Sequence, residues 1–127
     1  RKMKSIITSI ARKKMAQTRK GEISLPTVAG IAIGDGAENE DGILIELTLE
    51  ELSLKNELLR REYCRCEKVT DTCYRYRMEL GEDELAGKKI NEAALYDADG
   101  DLLAIRVFAG KMKDADMEMA FEYDDKF

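Results

Sequence analysis

Residues Ile90 to Phe108 read I-N-E-A-A-L-Y-D-A-D-G-D-L-L-A-I-R-V-F, two apolar arms around an Asp-Gly step. No other stretch restricts the fold as tightly, because it admits only two readings. One is the acidic start of a calcium loop, which needs oxygen ligands at positions 1, 3 and 5, Gly at 6 and a bidentate Glu at 12. Counted from Asp97, the carboxylates of Asp97, Asp99 and Asp101 fall correctly, but Gly100 comes at position 4, Leu102 takes position 6 and Phe108 takes position 12. No helical pattern flanks the run. The other reading is a β-hairpin with Asp99-Gly100 in a two-residue type I′ turn, where Asp-Gly tolerates positive φ. It pairs Tyr96 with Leu103, Ala94 with Ile105 and Leu95 with Ala104, and it leaves the acids as turn and solvent groups. The spacing favours the hairpin.

Both faces of that hairpin are apolar. One carries Ala94, Tyr96, Leu103, Ile105 and Val107; the other carries Ala93, Leu95, Leu102, Ala104 and Phe108, relieved mainly by Arg106. A sheet with one wet face alternates apolar and polar residues. Two apolar faces need two covers, supplied by the same chain or by a partner subunit.

With 127 residues, 44% of them hydrophobic, the chain can close one real core. It begins at Arg1 rather than Met, which leaves open residues upstream. Its longest apolar runs are only a few residues, so no membrane span or signal region is expected and the chain reads as soluble. There are no histidines and no tryptophans, which removes His-dependent acid–base catalysis, Ser-His and Cys-His nucleophile pairs and most zinc sites. Cys64, Cys66 and Cys73 are an odd number and argue against a disulfide framework. A three-thiolate metal site lacks the usual spacings and a fourth ligand, so they read as reduced, partly buried thiols acting as small hydrophobes. No cofactor is expected: Gly34-Asp35-Gly36 has no third Gly, no Lys-Ser/Thr and no following helix.

The net charge of −5 hides a division: residues 1–20 hold eight Lys or Arg and no acid, whereas the remainder holds 13 basic and 26 acidic groups. A basic segment on an acidic body can bind nucleic acid, or it can dock on an acidic neighbour, including another copy of the chain. The acidic body repels phosphate and no aromatics interleave with the cations, so docking is the favoured reading. Candidate contacts are Arg12, Lys13 and Lys14 on the helix and Leu95, Leu102 and Phe108 on the hairpin. Taken singly, each lysine reads more simply as part of a solvated face.

Met3, Ile6, Ile7, Ile10, Ala11 and Met15 recur at helical spacing and predict an amphipathic helix over roughly 3–18, ended by Gly21. Leu25 to Ile33 reads as extended, with Pro26 at the strand start. An acidic loop follows, with a short strand at Ile43-Leu44-Ile45. Thr48-Leu49-Glu50-Glu51 has capping-box spacing, so a second helix is expected near residues 48–60, its stripe made by Leu49, Leu52 and Leu59. From Tyr63 the period becomes two: a strand through Cys64 and Cys66, a turn at Thr70-Asp71-Thr72, then a strand from Cys73 to Leu80. Met117 to Asp124 alternates again, with the methionines read as core. The expected fold is α+β: mainly antiparallel sheet, curled or doubled into a sandwich, in a single domain with a basic helix (1–20) on an acidic β-rich body (23–127).

Taken in order, Ile7 to Ala16, Val28 to Gly36, Leu54 to Arg61 and Ile90 to Ile105 give a chain that resembles the N-terminal region of bacteriophage tail-collar fibre proteins and small prophage tail proteins. The resemblance covers roughly residues 7–108 as spaced motifs and carries no catalytic signature. It departs from the family's Ile-Gly-Leu-Tyr-Asp-like pattern at Ala93-Ala94-Leu95-Tyr96-Asp97. It implies a non-enzymatic role in assembly: attachment of a fibre or baseplate component in a virion or tail-like particle made in the bacterial cytoplasm. Partners would be other tail or baseplate proteins and further copies of the chain, often in trimers. Residues 1–127 hold no repetitive shaft or receptor-binding tip, so host recognition is not expected of them. The competing readings are a small nucleic-acid-binding or regulatory module using the basic helix, and an enzyme using Asp97, Asp99 and Asp101. Solvated turn carboxylates with ordinary pKa values suit proton transfer at neutral pH poorly.

Overall fold

The computed structural model describes residues 3–127, so Arg1 and Lys2 of the basic segment lie outside it. The chain runs β1 (Ser5–Ile7), α1 (Ser9–Lys20), β2 (Val28–Gly34), β3 (Glu57–Glu62), β4 (Arg65–Thr70), β5 (Cys73–Leu80), β6 (Lys89–Asp97), β7 (Leu102–Met112) and β8 (Met119–Lys126). Every pairing is antiparallel, in a five-stranded sheet ordered β1-β7-β6-β2-β3 and a three-stranded sheet ordered β4-β5-β8. The fold is thus α+β and mainly sheet, as the period-two segments predict. The chain passes between the sheets three times, after β3, β5 and β7; at the first crossing the Tyr63 N–H donates to Ala29 O in the first sheet, and the Cys64 N–H to Arg77 O in the second.

Both covers of the central hairpin come from the chain itself. Ala93, Leu95 and Ala104 face the second sheet and pack with Met78, Leu80, Phe121 and Tyr123. Ala94, Ile105 and Val107 face the other way, beside Ile6 of the neighbouring edge strand, and are covered by Ala37, Leu47 and Leu54 of the long 35–56 connection. Leu95 and Leu102, expected as partner contacts, are therefore buried in the fold, and Phe108 is half-buried against the first cluster. Each fully buried Leu or Ile contributes about 1.5–3 kcal/mol of burial free energy, enough to make this connection an integral layer.

The hairpin exists, with a different turn. Gly100 has φ 89, whereas Asp99 stays at negative φ. The Gly100 N–H donates to Asp97 O, and the Asp97 N–H to Asp101 O. The loop is therefore Ala98-Asp99-Gly100, a turn closed by a left-handed glycine and a bulge, instead of the two-residue I′ turn. Ala94↔Ile105 and Leu95↔Ala104 pair as expected, but Tyr96 pairs with Leu102 across a register shift. That one residue exchanges two side chains: Leu102 joins the cluster under the 35–56 connection, and Leu103 turns toward the second sheet.

Three further expectations are corrected. The first helix starts at Ser9, because Ser5-Ile6-Ile7 forms an edge strand against β7 and Thr8 supplies the N-cap; Gly21 ends it in the left-handed conformation, as expected. The second helix near 48–60 does not form. The Thr48 N–H and hydroxyl do donate to Glu51 Oε2 at 3.3 Å, but the chain makes only one turn before Leu54 plugs into the sheet and Glu57–Glu62 completes the edge of β2. Ile43-Leu44-Ile45 is not a strand either, retaining one bridge, Glu38↔Leu44. Strand pairing and burial outweigh local propensity here.

Candidate functional site

The acids of the hairpin turn and the basic helix meet. Thr8 begins α1 by accepting the Ala11 N–H at 3.2 Å, and its hydroxyl donates to Leu102 O at 2.7 Å, which seats the helix start on β7. One turn on, Ala11 and Lys14 form the buried side of the helix. Lys14 Nζ lies 2.6 Å from Asp97 Oδ2, 3.1 Å from Asp99 Oδ2 and 2.7 Å from Asp101 Oδ2. The Asp97 side chain is fully buried; its second oxygen, Oδ1, accepts the backbone N–H groups of Asp99 and Asp101 and shapes the turn.

Lys14 is therefore no member of a solvated face, and the three carboxylates are not simply turn groups in water. Their oxygens lie within 4.8 Å of one another, close enough to share a cation, and the Lys14 ammonium is the cation they share. Burial by itself lowers the lysine's pKa. Hydrogen bonds to Asp101, Asp97 and Asp99 outweigh that and raise it above the ordinary lysine range, so the ammonium stays charged at any physiological pH. An ammonium held in this way is neither a proton carrier nor a nucleophile. The arrangement clamps α1 to the hairpin turn.

Two other buried ionic groups are likewise occupied. Glu92 in β6 accepts the N–H of Lys55 at 2.8 Å through Oε1, and those of Gly36 and Asn56, both at 2.9 Å, through Oε2. It thereby gathers both ends of the 35–56 connection onto the sheet, helped by Asn91, which accepts the Ala37 N–H. Gly34 makes room for it, since a Cβ there would lie 2.6 Å from Glu92 Oε2 and 2.3 Å from Asn56 O. Lys113, fully buried, donates to Glu82 O at 2.6 Å and Asp114 O at 2.9 Å, tying the connection before β6 to the one after β7. The sequence marks neither residue: Lys113 stands in an ordinary charged run and Glu92 in the hairpin's first arm, and their partners are backbone atoms, most of them far away along the chain.

The thiols depart from the expectation of partly buried hydrophobes. Cys73 is buried, whereas Cys64 and Cys66 are exposed on the β3–β4 corner and strand β4. The Cys64 thiol donates to Glu79 Oε1 at 3.2 Å, and this carboxylate holds its pKa above the ordinary thiol value, away from a reactive thiolate. Met117 is exposed ahead of β8, and only Met119 packs on the core.

Arg12, Lys13, Arg19 and Lys20 remain on the outside of the helix, and among the described residues none of the four makes an ion pair. Arg12 reaches the 35–56 connection, donating from its guanidinium to Leu49 O at 3.5 Å. Of the sequence candidates, Arg12 and Lys13 are thus presented to solvent together, while Lys14, Leu95 and Leu102 serve the fold. No helix of the described residues is long and apolar enough to cross a membrane. No protein-family profile matches the chain, and the comparisons with curated proteins and with solved structures found no match.

Proposed function

We propose that this chain is a structural assembly module that works through protein–protein contacts, in a phage tail or phage-like particle as its sequence resemblance implies. The observation that carries the reading is the Lys14 clamp. It fixes α1 rigidly on the hairpin turn while Arg12, Lys13, Arg19 and Lys20 stay outside and unpaired among the described residues. A preorganised charged ledge loses little freedom when a partner binds it. The buried ionic groups Lys14, Glu92 and Lys113 are all spent on internal hydrogen bonds, which gives an enzymatic reading no support from them.

The alternative, a nucleic-acid module using the same helix, is disfavoured by the Glu46–Glu51 stretch beside Arg12, whose carboxylates repel phosphate. The two separate in one comparison. Binding to tail and baseplate proteins and to duplex DNA is measured for the wild type and for the Arg12→Ala/Lys13→Ala variant, Lys14 being left intact because it is structural. Assembly predicts a tail-protein partner whose affinity drops in the variant. Salt-sensitive DNA binding that vanishes with Arg12 and Lys13, and no protein partner, would overturn it.

A further inference from the structure

The 46–54 stretch buries and exposes its leucines selectively. Leu47 and Leu54 are 3% and 7% exposed in the layer over the sheet, whereas Leu49 and Leu52 between them are 45% and 53% exposed. Nothing in the fold requires two leucines there, since the turn at Thr48–Glu51 is made by polar groups. Their surroundings give them a use. Leu52 shares a shallow cleft with Ile10 of α1, whose walls also hold Glu57, Arg60 and Asp101, and Leu49 O accepts from Arg12. The helix beside these leucines is cationic, with Arg12 and Lys13 exposed. The connection side is anionic, with Glu46 and Glu50 exposed and, among the described residues, without ion pairs.

Two exposed leucines therefore sit where a cationic helix meets an anionic connection. Opposite charges side by side on one face can complement those of a second copy, because a half-turn can set the helix of one on the connection of the other. The face also has the anatomy of a binding patch, an apolar centre with a polar rim. A nucleic acid or an anionic membrane would match only the helix side and be repelled by Glu46 and Glu50.

We propose that this face binds a second copy of the chain about a two-fold axis. Leu49 and Leu52 pack at the centre, and Arg12 and Lys13 of each copy lie on Glu46 and Glu50 of the other. The proposal rests on the reading of the chain as an interaction module and names a partner and a surface for it.

Sedimentation velocity over a range of concentrations tests it, with circular dichroism confirming that each variant is folded. The wild type is expected to dimerise, more weakly as salt rises. Leu49→Ser/Leu52→Ser should weaken the dimer by about tenfold or more, the effect of losing central apolar contacts. Arg12→Glu/Lys13→Glu and Glu46→Lys/Glu50→Lys should each be monomeric alone, since both flanks then carry one sign. Mixed one to one, they should form a heterodimer, because each restores the charge that the other lacks. A wild type that stays monomeric, folded charge variants that self-associate like the wild type, or a mixture that fails to pair would overturn the proposal. A monomer that still binds a tail or baseplate protein would sink the pairing and leave the assembly reading standing; a monomer that binds none would sink both.

Discussion

Lys14 and Asp97 stand 83 positions apart in sequence, yet the lysine ammonium donates to the Asp97 carboxylate at 2.6 Å. The Asp97 side chain is wholly out of solvent, so removing the lysine would leave a buried charge with no counter-charge. Lys14→Met is expected to cost about 3–5 kcal/mol, read as a lower midpoint in urea unfolding. Adding Asp97→Asn should return part of that loss, because the charge left behind disappears. Asp99→Asn and Asp101→Asn, with side chains 60% and 43% exposed, should each cost no more than about 1 kcal/mol. An unchanged midpoint in Lys14→Met would remove the clamp from the account.

Glu92 offers a second stability test. Its carboxylate satisfies three backbone N–H groups from two segments, and Glu92→Gln turns a donor toward some of them. The expected loss is about 1–3 kcal/mol, the range for leaving a buried polar group unpaired. Faster hydrogen exchange at the Gly36, Lys55 and Asn56 amides should accompany it. Exchange confined to other amides would mean that the residue anchors nothing.

Acid should act through Glu84. Its carboxyl is hydrogen-bonded by the Arg61 guanidinium and by the Gly81 N–H, which lower its pKa from an ordinary 4.5 to about 2. A carboxyl depressed in the folded state stabilises it above its unfolded value, and that contribution fades as pH falls from 4.5 toward about 2. The wild type should therefore be more stable than Glu84→Gln at neutral pH, and the two should converge near the bottom of that window. A gap that is constant from neutral pH into acid would contradict the pair.

Thiol labelling of the native protein should separate the cysteines. Cys66 is exposed and should react first; Cys64 is exposed but hydrogen-bonded to Glu79, which keeps it protonated, and should lag at neutral pH. Cys73 should react only on unfolding. Fast labelling of Cys73 in the native state would show that the end of β5 is open.

Most of the elements that were legible in the sequence have periodic burial. Strands β5, β7 and β8 follow the two-residue alternation of Met78 to Leu80, Ile105 to Phe108 and Phe121 to Tyr123, whereas β6, buried on both faces, was legible from its apolar arm and the Asp-Gly step after it. What misled was local chemistry that is satisfied without its usual consequence. Thr48 and Glu51 make their capping contact, but the Leu58-Leu59 segment gains more by pairing with β2 than by continuing a helix. The site was hidden for another reason. The sequence pattern counts Asp97, Asp99 and Asp101 as turn residues and Lys14 as one cation among eight, and only the seating of Thr8 on β7 brings the four together. Glu92 and Lys113 bind backbone atoms, which carry no sequence signature at all.

The N-terminal strand and helix are held mainly by residues far along the chain. Ser5 to Ile7 pair with Ala104 to Arg106, and Lys14 waits for residues 97 to 101. On a ribosome this basic segment would emerge before the β6–β7 hairpin and could settle only once that hairpin had left the exit tunnel. Until then it would be a tethered cationic amphipath beside the acidic 35–56 connection, and its docking would be the closing event of folding. Because loop-closure entropy over such a span is lost before any contact repays it, that event should set the slow phase of refolding.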